Sequence, residues 1–345
     1  MFIVESPLQI LNAIEAKYFF RDATNVLVVA IWSKDGSVNS IQMEELISQD
    51  CWTDIIRFKS CPSRILPFRL WSKLRRRYNI KRVFVGDIGS TYMRLALAQP
   101  GQENFLLDDG VATIFAKDWF LRRESARVSF YDTPYDYSTL MRHNIKVPSW
   151  KTWFKKQIHN MLVPVNIYSG DINLFTAFDL QPVGGQKIIK NRYESLKLKK
   201  TDKTIDSSMV WFFGHELSED GGLSLEEEVG ILKQIVCYYA SRGIRVHYLP
   251  HRKENVQRLD LFKENLGMVI EAAQWPAEIE TVFRNRLPAH IGAYTSTVLV
   301  TLPLLHDFET VTSFRVDAKI PDENEALDKY LSAHVCVVDL NTESI

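Results

Sequence analysis

The chain has 345 residues, more than one typical hydrophobic core takes, and its length suits two domains of middling size. At 46% hydrophobic and 24% charged it has the composition of a folded globular protein, which excludes a disordered chain. Lys+Arg and Asp+Glu number 42 each, so net charge carries no footprint of a nucleic-acid partner.

The opening reads strand, turn, helix. Phe2 to Val4 is a short apolar run. Ser6 suits the cap of the next helix, Pro7 its first turn, and Leu8, Leu11, Ile14 and Tyr18 recur at helical spacing. Val26 to Ile31 is a continuous apolar run, the pattern of a strand buried on both faces. Val83 to Val85 and Phe105 to Leu107 predict further strands, and the stretch 115–165 is irregular and rich in aromatics. The polar, unperiodic segment 187–208, ending KNRYESLKLKKTDKTIDSS, reads as a linker, which sets domains at 1–190 and 205–345.

The second half is more regular. Met209 to Phe213 predicts a strand. Ser224 and Glu227 form a capping box before a helix whose apolar face is Ile231, Leu232, Ile235, Val236 and Tyr239, and Gly243 ends it. Strands at Ile244–Leu249, Met268–Ile270, Ala289–Gly292 and Thr310–Phe314 alternate with helices near 256–265, from Pro276 and from Ser296. Such alternation predicts a parallel, doubly wound α/β sheet. No internal repeat is visible.

Cys51, Cys61, Cys237 and Cys336 are scattered without a C-x-x-C pair, which fits neither a disulfide scaffold nor a zinc site and suits a reducing cytosol. The start MFIVESPLQI has no basic n-region, and no apolar run approaches the roughly 18–20 residues of a membrane span. The sequence therefore predicts neither a signal peptide nor a transmembrane helix. It also has no G-x-G-x-x-G, no G-x-x-x-x-G-K-[ST], no G-x-S-x-G and no second His at metalloprotease spacing after His215-Glu216. D-x-D, the usual metal anchor of one large class of sugar-nucleotide transferases, is missing as well. These absences favour a metal-independent enzyme with two Rossmann-like domains, or a binding protein.

Four constellations remain. Asp108-Asp109-Gly110 follows a predicted strand, where a carboxylate can take a proton from a hydroxyl; Asp-Gly is equally a turn sequence. Pro250-His251-Arg252 follows another, and His with Arg suits a phosphate, although a solvated loop has the same composition. Gly292-Ala293-Tyr294-Thr295-Ser296-Thr297 joins a strand to a helix, as an anion site or as plain capping. Gly214-His215-Glu216 follows the first strand of the second half. Three of the four fall after strands of one sheet, where a nucleotide would sit, and the carboxylates fall in the other domain.

Asp108-Asp109-Gly110, Pro250-His251-Arg252 and Ser296-Thr297 resemble the acidic-Gly, His and Ser/Thr motifs of bacterial sialyltransferases. The segments VESPLQILNAIEA and YLPHRKE are most similar to the lipooligosaccharide sialyltransferases, glycosyltransferase family 52, relatives of other bacterial sialyl- and polysialyltransferases. Many of these carry His-Pro, whereas here Pro250 precedes His251 and Arg252 follows it. The resemblance implies a glycosyltransferase B-type fold, two Rossmann-like domains facing a cleft. It implies inverting transfer of sialic acid from CMP-sialic acid to a sugar hydroxyl of a lipooligosaccharide or capsule, with no metal and no cofactor. On this reading Asp109 or Asp108 is the base and His251 assists the leaving CMP. Gly214, His215, Arg252, Glu278, Ser296 and Thr297 then bind the donor, Glu278 through its ribose hydroxyls. Another CMP-activated nonulosonic acid or Kdo is the alternative donor, and a non-catalytic nucleotide- or glycan-binding protein the alternative class.

From Arg64 to Arg82 the chain has eight Lys or Arg and no acid, with Phe68 and Trp71 among them; Lys146, Trp150, Lys151, Trp153, Phe154, Lys155 and Lys156 form a second patch. Basic residues interleaved with aromatics suit an anionic membrane surface, and a solvated helix face has the same look. No nucleic-acid-binding motif accompanies them. The expected location is cytoplasmic, peripheral on the inner membrane face.

Overall fold

The computed structural model describes residues 1–31, 37–59, 65–97, 101–115, 171–182, 184–215, 217–218, 223–251, 254–316 and 322–340. The chain divides into two compact units, Met1–Asn191 and Arg192–Ile345.

In the first unit β1 (Phe2–Val4), α1 (Pro7–Phe20), β2 (Val26–Ile31), α2 (Val38–Ser48), β3 (Asp54–Lys59) and α3 (Ile65–Tyr78) follow in order. Next come β4 (Arg82–Val85), α4 (Thr91–Leu97), β5 (Glu103–Leu107), α5 (Val111–Phe115), β6 (Ile172–Thr176) and β7 (Ile188–Lys190). The strands pair in the order β3-β2-β1-β4-β5-β6-β7, all parallel. Phe2, Phe84 and Phe105 stand in register on adjacent strands, and their rings stack 4.5 and 4.9 Å apart. Phe20, at the end of α1, packs edge-on against Phe84 and Phe105, which fixes that helix on the sheet.

The second unit opens with α6 (Glu194–Lys197), β8 (Thr204–Phe213), α7 (Leu225–Ala240), β9 (Arg245–Leu249) and α8 (Val256–Leu266). There follow β10 (Val269–Ile270), α9 (Ala277–Phe283), β11 (Arg286–Ala293) and the single turn α10 (Val298–Thr301), continued by a 3-10 turn at Leu302–Leu304. The unit closes with β12 (Thr310–Val316), α11 (Asp322–His334) and β13 (Cys336–Leu340). Its parallel sheet runs β10-β9-β8-β11-β12-β13. The capping box of α7 forms as the sequence predicts: Glu227 N–H donates to Ser224 Oγ at 3.2 Å and Ser224 N–H to Glu227 Oε2 at 2.7 Å.

Both sheets start in a middle strand, step outward twice, and return to the other side of the first. This is the Rossmann strand order, repeated without a sequence repeat. It places a crevice beyond the carboxyl ends of β1 and β4 in the first unit, and of β8 and β11 in the second.

The expected linker is ordered structure. Segment 187–208 supplies β7, α6 and the first half of β8, and the division between units falls inside it. It looks unperiodic because β7 is an edge strand and the first half of β8 is largely exposed. Lys200 and Lys203 donate to the carbonyls of Leu305, Val282 and Arg284 at the ends of short helices, a favourable place for a cation. The helix expected from Ser296 is a single turn at Val298–Thr301, and α11 and β13 extend the unit past the last predicted strand.

Candidate active site

In the first unit the site grows from the ends of β1, β4 and β5. Ser6 caps α1, accepting from Gln9 N–H at 3.2 Å. Gln9 turns its side chain back, and its Oε1 accepts from Glu5 N–H at 2.9 Å. That contact needs Gly86 after β4, because a Cβ there would lie 2.0 Å from Gln9 Oε1. Beyond β5 the chain turns at Gly110, whose φ of 64° favours glycine, and Asp109 N–H donates to Thr113 Oγ1 at 3.1 Å. The turn reading thus holds, and it places both aspartates beyond the end of β5.

The two aspartates have different surroundings. Asp108 is buried, and its Oδ2 accepts from Ala177 N–H at 2.6 Å, just past β6. Its carbonyl accepts from Asn12 at 2.9 Å, and Asn12 Oδ1 accepts from Asn191 at 2.9 Å. Burial pushes the Asp108 carboxyl up to about 6, against the Ala177 N–H. It joins the ends of β5 and β6. Asp109 is half-buried, and its Oδ1 accepts from Ser6 Oγ at 3.3 Å. Its carboxyl is pushed up to about 7, first by burial and then by the charge of Asp87, with Gln9 and Ser6 opposing the rise and Glu5 adding to it.

Asp87 and Glu5 were not singled out from the sequence. Asp87, after β4, accepts from Gly89 N–H at 2.6 Å, and burial raises its carboxyl. The same loop is held by the buried Arg94, which donates to the carbonyls of Ile88 and Gly89 at 2.6 and 2.7 Å. Glu5 accepts from Tyr92 Oη at 2.6 Å. Each acid directly follows a strand or is one residue beyond it, which is the only trace the sequence carries of this arrangement. A carboxylate titrating near neutrality, hydrogen-bonded on one oxygen, suits proton removal from a hydroxyl.

In the second unit the ends of β8, β9 and β11 supply the candidates. Gly214 follows β8, and a Cβ there would lie 2.2 Å from Tyr248 Oη and 2.4 Å from Glu254 Oε1, so glycine gives these side chains room. The half-buried rings of His215 and His251 lie 6.1 Å apart, 14° from parallel. Glu254 accepts from His251 N–H at 2.6 Å and from Tyr248 Oη at 2.9 Å, and burial pushes its carboxyl up to about 7. Arg258 on α8 donates to the His215 carbonyl at 2.6 Å and to Glu228 on α7. Glu228 and Arg258 escaped sequence reading because burial of an ion pair leaves no mark in apolar periodicity.

Ser296 and Thr297 are half-buried in the turn after β11. Thr297 holds the cap position of α10 without a side-chain capping bond, so plain capping does not account for its hydroxyl. With α10 a single turn, the helix-dipole contribution expected here is small. Glu278 is only 4% exposed and accepts from Thr301 Oγ1 at 2.6 Å, so it is not a surface carboxylate. Arg252 and Glu216 lie outside the described residues.

The basic run needs one correction. Trp71 is fully buried, and its Nε1 donates to the Tyr92 carbonyl at 2.9 Å, so it is a core residue and not a surface aromatic. Arg82 pairs with Asp22 and Glu103 at 2.6 and 2.7 Å. Arg64, the Phe68 side chain and the patch Lys146–Lys156 lie outside the described residues. Among the described residues no helix is long and apolar enough to cross a membrane. Nor do three His, Cys, Asp or Glu converge there to hold a metal ion.

A family model for alpha-2,8-polysialyltransferase (POLYST) matches residues 1–315. No curated protein matches the chain. Among solved structures, an alpha/beta-galactoside alpha-2,3-sialyltransferase from the luminous marine bacterium Photobacterium phosphoreum is similar. It shows 14% identity and a TM-score of 0.50 over 100% of this chain and 98% of its own. A UDP-GlcNAc 2-epimerase from Neisseria meningitidis, bound to UDP-GlcNAc, has 10% identity and a TM-score of 0.51 over 99% of this chain and 87% of its own. At such identities the likeness concerns fold, and with the two Rossmann-like units it is the glycosyltransferase B-type fold.

Proposed function

The chain belongs to the alpha-2,8-polysialyltransferase family, and from that premise we propose that it transfers sialic acid from CMP-sialic acid to a sugar hydroxyl of a bacterial surface glycan, inverting the anomeric carbon. The observation that carries the mechanism is the half-buried Asp109 just beyond β5, hydrogen-bonded to Ser6, with its carboxyl pushed up to about 7 by burial. Asp109 removes the acceptor hydroxyl proton as that oxygen bonds to the anomeric carbon. The bond from that carbon to the CMP phosphate oxygen breaks on the opposite face, and its electron pair leaves with CMP. Asp108, engaged with Ala177 N–H, supports the loop instead.

Donor binding falls to the second unit. His251 donates to the phosphate oxygen that gains charge, and His215, Arg252, Ser296 and Thr297 hold the anion. Glu278 bonds the ribose hydroxyls and Gly214 makes room. No metal or cofactor takes part. The acceptor is a lipooligosaccharide or capsular glycan reached from the cytoplasmic side, with the basic face of α3 against anionic lipid.

A screen of CMP-sialic acid, CMP-Kdo and other CMP-activated nonulosonic acids for CMP release, with galactoside and sialoside acceptors, tests this reading. CMP-sialic acid is expected to be turned over fastest, and faster with acceptor than without. A preference for another donor replaces the sugar, and no release from any of them leaves a binding protein.

A further inference from the structure

On the reading of the second unit as the donor-binding one, we propose that Arg258 is a positioning residue that sets the His215 and His251 loops in register for the donor phosphate. Arg258 is 4% exposed, and its planar fork reaches three elements. Nη2 donates to the His215 carbonyl at 2.6 Å. Nε donates to Glu228 Oε2 at 2.9 Å, and Nη2 also meets Glu228 Oε1. Nη1 lies 3.3 Å from Glu254 Oε2. Glu254 in turn takes the His251 N–H at 2.6 Å through its other oxygen, while Tyr248 Oη donates to Oε2 at 2.9 Å. One guanidinium therefore holds the His215 loop by its carbonyl and the His251 loop through a carboxylate. The parallel rings 6.1 Å apart are the outcome.

Chemistry selects arginine here. Two buried carboxylates and a carbonyl approach in different directions, which a fixed fork satisfies and a lysine point charge does not. Arg258→Lys keeps the positive charge that Glu228 and Glu254 need, so it separates geometry from charge balance. A merely structural arginine would lower stability without changing the two rings or donor binding.

The test uses the full chain and four measurements: CMP affinity, donor KM and kcat, thermal stability, and the ring resonances of His215 and His251 by NMR. Arg258→Lys is expected to weaken CMP binding at least tenfold, raise donor KM in step, lower kcat less, and shift both rings. Asp328→Asn, which breaks the Arg315–Asp328 pair elsewhere in the unit, is the control and should match wild type in ligand binding and in both rings. Wild-type CMP affinity and unmoved rings in Arg258→Lys overturn the proposal. If that variant does not fold, Glu254→Gln replaces it: a shifted His251 ring with His215 unmoved supports the relay, and an unmoved His251 overturns it. If the wild type binds no CMP, the donor reading falls by itself, and the ring spectra of Arg258→Lys still decide whether Arg258 sets the two loops.

Discussion

The Ser6 hydroxyl that accepts the Gln9 N–H at the start of α1 also donates to Asp109 Oδ1 at 3.3 Å, so one side chain caps a helix and orients a carboxylate 103 residues away. The cap sequence and the acid-Gly sequence are one structure. Asp109→Asn keeps the shape and loses the proposed base. Turnover should fall by about 10²–10⁴, with CMP affinity unchanged. Asp108→Asn should cost stability through the Ala177 contact more than catalysis. Full turnover in Asp109→Asn with loss only in Asp108→Asn would reverse the two roles.

Asp109 should also set the pH dependence. With its carboxyl near 7, the ionised base grows as pH rises through that value. The rate with limiting donor should therefore fall tenfold per unit on the acid side. Asp87 is the largest charge raising Asp109, so Asp87→Asn should move the acid limb to lower pH. An acid limb at the same pH in wild type and Asp87→Asn would exclude this coupling.

Stability runs the other way. Burial raises the folded-state carboxyl of Asp109, so the protonated form is favoured in the fold. That contribution is fully present below the ordinary carboxylate range near 4 and is lost as pH rises through about 7. Asp109→Asn should therefore be more stable than wild type at pH 8 by about 1–2 kcal/mol, the half-buried group keeping part of its hydration. Calorimetry at pH 5 and pH 8 checks it, and the gain should shrink at the lower pH.

Much of this fold was legible because its central strands are continuous apolar runs. β2, β4, β5 and the second half of β8 were readable on that pattern, whereas β9 and β12, RVHYL and TVTSFRV, were readable from their place between helices. β3 and β7, at the edges of the first sheet, and β13, at the edge of the second, were not. Their sequences, DIIRFK, IIK and CVVDL, are short or mixed with charge, as edge strands are. In α3 the run of Lys and Arg masks the buried face formed by Trp71 and Leu74. In the site, residues following strands were visible as motifs. Asp87, Glu228 and Arg258 were not, since each acts on a partner brought near only by the fold: Asp109, Arg258 and the His215 carbonyl.

Turnover should persist in EDTA and gain little from magnesium or manganese. On the proposed mechanism the leaving phosphate is served by hydrogen-bond donors on the His251 and Ser296 loops, and the sequence has no D-x-D to anchor a cation. Loss of activity in EDTA with recovery on adding metal would contradict this.

The last prediction concerns α3. Trp71, Leu74 and Tyr78 turn one face of this helix to the core. Arg69, Lys73, Arg76 and Arg77 are exposed, and at 3.6 residues per turn they share an arc of roughly 100° on the other side. None of the four has an acidic partner among the described residues, whereas Arg57 on neighbouring β3 pairs with Glu44. A rigid, single-sign face of this kind attracts anionic lipid at about 1 kcal/mol per cation near the surface. With Trp71 in the core, attraction rests on charge, so it should fade over a Debye length of about 8 Å at physiological salt. Replacing Arg69, Lys73, Arg76 and Arg77 by Ser should reduce binding to vesicles containing phosphatidylglycerol, and wild-type binding should itself vanish in high salt. Neutral vesicles should bind neither protein. Transfer to a lipid-linked acceptor in such vesicles should fall, and transfer to a short soluble acceptor should persist, because the proposed base and donor residues lie on other elements. Equal loss on both acceptors, with unchanged thermal stability, would assign the face to the glycan and remove the membrane from the account.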